Sequence, residues 1–255
     1  MNLLLEYFKY CLKAKGRHGI HSPFVYEFVN KCLTTKMNKK FISSQKKLFK
    51  ILKSDKTIIN VNDFGAGSKK LNNQRSVSSI FSNSSSKGKY GKLLYSISNY
   101  YTPKNILEFG TSLGIGSIHF SAGNKSSNIT TIEACQNTLF IAQQNFKISN
   151  TTNLNSILST FDDFLVDYSG DKFDVIFIDG HHDGIALIDY LERLKPHTHN
   201  DSLFVLDDIR WSDSMLESWN SIVNDPYYHV SLDLFRMGII LPRHQQTKEH
   251  FIIKI

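Results

Sequence analysis

The sequence predicts an α/β fold: a mostly parallel sheet closed by an antiparallel C-terminal hairpin, with a helical N-terminal extension. Three observations predict it. First, short apolar runs recur at Ile106–Phe109, Ile129–Ile132, Ser156–Leu158, Val175–Ile178 and Leu203–Leu206. Helical patterns at Thr138–Phe146, Ile185–Leu194 and Ser214–Val223 separate most of them, the rhythm of a parallel sheet covered on both faces. Second, Val230–Leu241 and Phe251–Ile255 are joined only by Pro242–Glu249. That connection is too short for a crossover helix, so these two strands are expected to pair antiparallel. Third, the strand at Ile106–Phe109 runs into a glycine-rich turn and then a helix, the arrangement that binds ligands at the carboxyl edge of an open sheet.

The front of the chain is read as helical. Residues 3–14 put Leu4, Tyr7, Phe8, Cys11 and Leu12 on one helix face, and Gly16 stops it. Arg17–Pro23 reads as a loop in which Ser22 caps a second helix with Pro23 at its first position. Phe24, Val25, Phe28, Val29 and Cys32 form its expected buried face. Residues 36–56 keep Phe41, Leu48, Phe49 and Leu52 in helical spacing. Residues 68–89 are polar and read as a mobile connection. A helix with Leu93, Leu94, Ile97 and Tyr101 along one side follows, ended by Pro103. The expected division is therefore 1–85, a basic extension and loop, and 86–255, the α/β domain.

Composition narrows the class. With 41% hydrophobic and 21% charged residues the chain is globular rather than disordered. No apolar run approaches the roughly 20 residues that span a bilayer, and Glu6 and Lys9 interrupt the start, unlike a signal peptide. Three scattered cysteines, Cys11, Cys32 and Cys135, suit a reduced, cytoplasmic protein. Charge is asymmetric: residues 1–100 carry 19 Lys and Arg against 4 Asp and Glu, residues 101–255 carry 11 against 19. The basic part either faces an anionic partner such as nucleic acid or lipid, or is a solvated surface balanced by the acidic half.

The glycine turn reads Glu108-Phe-Gly110-Thr-Ser112-Leu-Gly114-Ile-Gly116. The next strand ends in Glu133, 23 residues after Gly110, where a carboxylate can accept from both hydroxyls of a ribose. The G-x-G-x-x-G spacing of dinucleotide sites is missing, as is the Walker lysine. A similar turn, Asp63–Ser68, follows Ile58–Val61, but Lys69–Ser86 after it holds no acid; it is read as a structured loop.

On E-F-G-T-S-L-G at 108–114, Glu133, F-D-D at 161–163, F-D-V-I-F-I-D-G-H-H at 173–182 and L-D-D at 206–208, the chain resembles class I S-adenosylmethionine-dependent methyltransferases of the catechol O-methyltransferase-like group over residues 86–255. The resemblance implies a seven-stranded Rossmann-like methyltransferase sheet with a reversed final strand. It implies that Glu108, Gly110, Ser112 and Gly114 surround the methionine part of the cofactor and Glu133 the ribose. Phe161 and Asp162 flank adenine, and Asp179 lies near the transferred methyl. Gly116 stands where many relatives have Ser. The segment Arg17–Phe24 resembles the start of methyltransferase-like proteins of bacteria, and that match brings no substrate with it.

On the acceptor side, Asp179, Asp207 and Asp208 are implied to meet at adjacent strand ends, a set suited to Mg²⁺ or another divalent cation. In metal-dependent relatives the last position is more often Asn. The alternative is that Asp207 and Asp208 cap a helix or bind substrate without metal. His182, three residues past Asp179, is a candidate general base, or lines the cleft. His181, His197 and His199 are expected at the surface, and Arg210 and Trp211 at the acceptor pocket. The position after Ile178 lacks the N-P-P-Y tetrad of DNA amino-methyltransferases, and no Pro-Cys pair supplies a cytosine-attacking nucleophile. The expected function is methyl transfer to an oxygen of a small molecule. Competing readings are methylation of RNA or lipid held by the basic extension, and a cofactor-binding protein without catalysis. A homodimer through the extension is a further expectation.

Overall fold

A computed structural model describes residues 2–16, 19–62, 73–83 and 86–255. The N-terminal part is helical: α1 (Leu3–Lys13), α2 (Pro23–Phe28) widening into a π turn at Val29–Leu33, and α3 (Lys39–Ser54). A two-stranded antiparallel ribbon, β1 (Ile58–Asn60) and β2 (Gln74–Ser76), leads into α4 (Val77–Asn83). After α5 (Gly88–Tyr101) strands and helices alternate: β3 (Asn105–Phe109), α6 (Ile115–Gly123), β4 (Asn128–Glu133), α7 (Gln136–Ile148), β5 (Leu154–Leu158) and α8 (Phe161–Asp167). Then come β6 (Val175–Ile178), α9 (Gly184–Leu194), β7 (Leu203–Leu206), α10 (Asp213–Asn224), β8 (Val230–Leu234), β9 (Met237–Leu241) and β10 (Glu249–Ile252). Short polar side chains start several helices: Asn2, Thr160, Asp183 and Ser212 each accept from a backbone N–H of the first turn.

The other eight strands form one sheet in the order β10-β8-β9-β7-β6-β3-β4-β5. The strands β5, β4, β3, β6 and β7 are parallel. Every residue of β6 and β7 is buried, as expected for strands covered on both faces. One face packs Phe28, Leu94 and Phe120 against Val205 and Ile239; the other packs Tyr190, Leu194 and Trp219 against Ile176 and Phe204. The extension shares these cores: Val25, Phe28 and Cys32 join the first, while Leu48, Leu52, Val77 and Phe81 pack on Leu113, Ile118 and Ile141.

The C-terminal pairing differs from the expectation. Val230–Leu241 is not one strand but an antiparallel hairpin, β8 with β9, whose register pairs Leu234 with Met237. Phe235 takes φ +71° in the turn, a conformation without a sequence mark because neither Gly nor Pro stands there. Side chains build the turn instead: Phe235 N–H donates to Asp233 at 2.8 Å, and Arg210 donates to the Phe235 carbonyl at 2.6 Å. The last strand, β10, pairs parallel with β8 as an eighth strand at the sheet edge. A short connection suffices because β10 runs opposite to β9, the strand it follows.

One further reading is corrected. The stretch read as a loop, 68–89, contains β2 and α4, with Val77 and Phe81 buried. On α1, Tyr10 is the buried residue, while Leu4, Phe8 and Leu12 are exposed. The turn at Asp63–Ser68, together with Arg17 and His18, lies outside the described residues.

Candidate active site

The parallel sheet sets the carboxyl ends of β3, β4, β6 and β7 along one edge, and the chain leaves β3 toward β4 on one side and reaches β6 on the other. A crevice opens at such a reversal. At its centre the β3 turn touches the end of β6: Asp179 N–H donates to the Phe109 carbonyl at 2.8 Å. Gly110 has φ +97°, and a Cβ on it would meet the Asp179 carbonyl oxygen at 2.1 Å. Only glycine fits this approach. Gly114 takes φ +78° as the N-cap of α6. Ser112, His181 and Asp208 also adopt positive φ, at +49°, +67° and +52°. Strained non-glycine residues at three strand ends mark a site whose backbone is over-determined by its surroundings.

The crevice is a cleft of about 400 Å³. Of the residues predicted to hold the cofactor, Gly110, Ser112, Glu133, Phe161, Asp162 and Asp179 line it. The Glu133 carboxylate accepts from the backbone N–H of Ser112 at 2.8 Å and of Cys135 at 3.0 Å. These two backbone donors fix its orientation at the cleft. Phe161 stacks on Phe109 at 4.5 Å and presents its edge to Tyr190. Asp162 is held by Arg193, whose guanidinium lies 2.5 Å from its carboxylate.

Two predicted residues stand apart from the lining. Gly114 packs beside Phe146. Glu108 is buried under the turn, where Thr131 donates to it at 2.7 Å and Ser117 also donates. Burial pushes its pKa up to about 7, against the lowering effect of those two hydroxyls. Its position accounts for Gly116, since a Cβ there would strike the Glu108 carboxyl at 2.2 Å.

The cleft also has walls that sequence reasoning missed. His181 lines it, with Nδ1 2.6 Å from the Tyr190 hydroxyl; its place beside His182 was the available signal. Val61, Asn62, Arg75 and Ile80 line it as well. The end of β1 is tied to the start of α7, where Asn137 donates to the Asn60 carbonyl at 2.9 Å.

At the ends of β6 and β7, Asp207 and Asp208 lie close enough to Asp179 to act on its carboxyl. Asp207 is buried, and burial holds the Asp179 carboxyl well above its ordinary pKa, reinforced by the charge and hydrogen bond of Asp207. Burial also raises Asp208, and Asp207 adds to it, while Arg236 and His182 oppose the rise. The Arg236 guanidinium lies 2.8 Å from Asp208 and 3.6 Å from Asp207. Arg236 Nε makes these contacts by charge rather than by an aligned hydrogen bond. The set fits a divalent cation poorly, because an ion bound to both carboxylates would compete with this guanidinium. Among the described residues no group of three His, Cys, Asp or Glu is arranged to hold a metal. His182 lines the cleft with Nε2 3.8 Å from Asp208 and its ring 5.6 Å from Trp211. Arg210 is not among the residues that line the cleft; it is bound at 2.5 Å to the buried Asp233 under the hairpin turn. Trp211 is exposed.

Residues 107–209 match a family described as a methyltransferase domain. This segment carries the glycine turn, Glu133, Asp179 and the Asp207–Asp208 pair. Three solved structures are similar to the chain. The O-methyltransferase from Bacillus cereus in complex with SAH is 16% identical, over 84% of this chain and 96% of that one, with a TM-score of 0.54. Cofactor-bound Rv0187 from MTB is 14% identical over 88% and 98%, with a TM-score of 0.58. An SAH-bound methyltransferase from Podospora anserina is 17% identical over 64% and 83%, with a TM-score of 0.54. At these identities the likeness is one of fold. No curated protein matches the chain in sequence.

Fold and site together define a class I S-adenosylmethionine-dependent methyltransferase. Its central segment, residues 107–209, matches the methyltransferase domain family. No helix among the described residues is long and apolar enough to cross a membrane.

Proposed function

We propose that the protein transfers a methyl group to an oxygen of a small-molecule acceptor, using His182 as the proton acceptor and no divalent cation. One observation carries the reading: His182 lines the same cleft as Ser112 and Glu133 while lying beside Asp208. In this reading Glu133 accepts from the ribose hydroxyls, and Phe161 and Asp162 flank adenine. Gly110, Ser112 and Gly114, supported from below by Glu108, shape the methionine end. Residues 86–255 form the catalytic unit. The extension, 1–85, contributes the wall at Val61, Asn62, Arg75 and Ile80.

S-Adenosylmethionine, when bound, supplies a methyl group already activated on a sulfonium, so the protein's tasks are alignment, exclusion of water and proton removal. Asp208 faces His182 Nε2 and favours a proton there, leaving Nδ1 to accept from the acceptor hydroxyl. Burial and the neighbouring Asp207 favour the neutral form of Asp179, a polar wall beside the reacting centre. Arg236 offsets the charge of Asp207 and Asp208, the role a cation would otherwise fill. The name of the Bacillus cereus structure supports an oxygen acceptor.

The test is label transfer from methyl-labelled S-adenosylmethionine to a panel of phenols, catechols and hydroxy acids, with and without EDTA. Labelled ethers or esters formed equally in EDTA support the reading. Label found only in added RNA or phospholipid overturns the small-molecule assignment, and turnover abolished by EDTA overturns the metal-free one.

A further inference from the structure

Helix α1 is attached to the body by one side. The Tyr10 hydroxyl donates to the Ile253 carbonyl at 2.5 Å, and the rings of Tyr7 and Tyr10 pack on Phe235 at 4.9 and 5.2 Å. At about 100° per residue this contact side carries Leu3, Tyr7 and Tyr10. Continuing round the helix, Cys11, Leu4, Phe8, Leu12 and Leu5 follow one another, and then Lys9 and Lys13. The apolar group faces solvent: Leu4 is 82% exposed, Leu12 72% and Phe8 61%. Glu6 offsets Lys9 at 2.7 Å.

More lysines lie beyond the helix end. Lys254 N–H donates to the Lys15 carbonyl at 3.1 Å, which ties the segment after α1 to the sheet edge. There Lys89, Lys92 and Lys254 line a hollow with Val29, Leu33 and Ile255. An exposed apolar helix face bordered by lysines is the pattern of a helix that lies in a membrane interface.

We propose that α1 docks the protein onto an anionic lipid bilayer, with Leu4, Phe8 and Leu12 in the interface and the lysines against headgroup phosphates. The helix is too short to span a bilayer, which needs about 20 apolar residues, so it lies in the plane. Two other occupants fit less well. A two-fold dimer through α1 would set the same lysines opposite each other. At about 16 Å long, the helix alone offers less than the roughly 800 Å² per partner of a standard interface. A nucleic acid would use the lysines but leave Leu4, Phe8 and Leu12 in water.

The experiment is vesicle flotation of the full chain with phosphatidylglycerol/phosphatidylcholine vesicles and with phosphatidylcholine alone, at low and high salt. Binding is expected to the anionic vesicles and to weaken with salt. A Leu4→Glu/Phe8→Glu variant is expected to bind at least tenfold more weakly with an unchanged Tm. Lys9→Glu/Lys13→Glu is expected to lose the salt-sensitive part. The proposal is overturned if the folded protein ignores anionic vesicles or if Leu4→Glu/Phe8→Glu binds them as before. It is equally overturned if those substitutions dissolve a dimer seen by sedimentation while vesicle binding is nil.

Discussion

Arg236 and Asp208 form an ion pair at 2.8 Å, and Asp207 lies 3.6 Å from the same guanidinium. A side chain from the β8–β9 turn thus reaches carboxylates at the end of β7 and balances their charge from within the chain. Arg236→Met would leave two carboxylates without their cation. The expected loss of stability is about 2 kcal/mol by urea unfolding, below the 3–5 of a fully buried pair because Arg236 keeps a third of its side chain exposed. The vacated site should then take up Mn²⁺, seen as a rise in Tm with Mn²⁺ for Arg236→Met and none for the natural protein. A Mn²⁺-dependent rise in the natural protein would contradict the pairing.

Glu108 predicts a pH dependence of stability. Its folded pKa, about 7, lies above the ordinary 4.5. Above pH 4.5 the unfolded chain releases this proton while the folded chain retains it up to about 7. Its contribution is therefore fully present below 4.5 and lost as pH rises through 7, by roughly 3 kcal/mol. Glu108→Gln should remove that slope, so the stability difference between variant and natural protein should change sign-consistently in the variant's favour from pH 4.5 to 7. Parallel stability curves would refute the assignment.

Gly110→Ala should disrupt the crevice. The new Cβ meets a backbone carbonyl, not a movable side chain, and φ +97° is itself unfavourable for alanine. A loss of about 2–4 kcal/mol by chemical unfolding is expected. A change below about 0.5 kcal/mol would mean that the β3 turn and the end of β6 are not held in contact.

His182→Ala separates chemistry from binding. Loss of a general base is expected to lower kcat by about 10²–10⁴-fold with little change in S-adenosylhomocysteine affinity. Activity on a phenolic acceptor should recover as pH rises and the acceptor ionises unaided. A defect that is the same at every pH would reduce His182 to a packing role.

Sequence was most informative where one short stretch determines structure. Val175–Ile178 and Leu203–Leu206 are unbroken apolar runs and appear as fully buried strands. The turn at Gly110 and the acid at Glu133 sit where the spacing put them. What escaped depends on distant contacts. Asp233 and Arg210 build the turn at Phe235, 23 residues apart, in a run that looks like one strand. Arg236 reaches Asp208 across 28 residues, and no local pattern announces that pairing. Val77 and Phe81 look isolated in a polar stretch until α3 and α6 supply their partners. On α1 the periodicity was legible but not its direction, since an apolar stripe does not say whether the protein's own core will cover it.

The central claim is that the cleft between Glu133 and Asp179 holds S-adenosylmethionine. Calorimetric titration of the full chain with S-adenosylhomocysteine, beside Glu133→Ala, tests it most directly. One site per chain is expected, with at least about tenfold weaker binding in Glu133→Ala, since two charge-assisted hydrogen bonds would be lost. Absence of binding to the folded natural protein, or undiminished binding to Glu133→Ala, would contradict it.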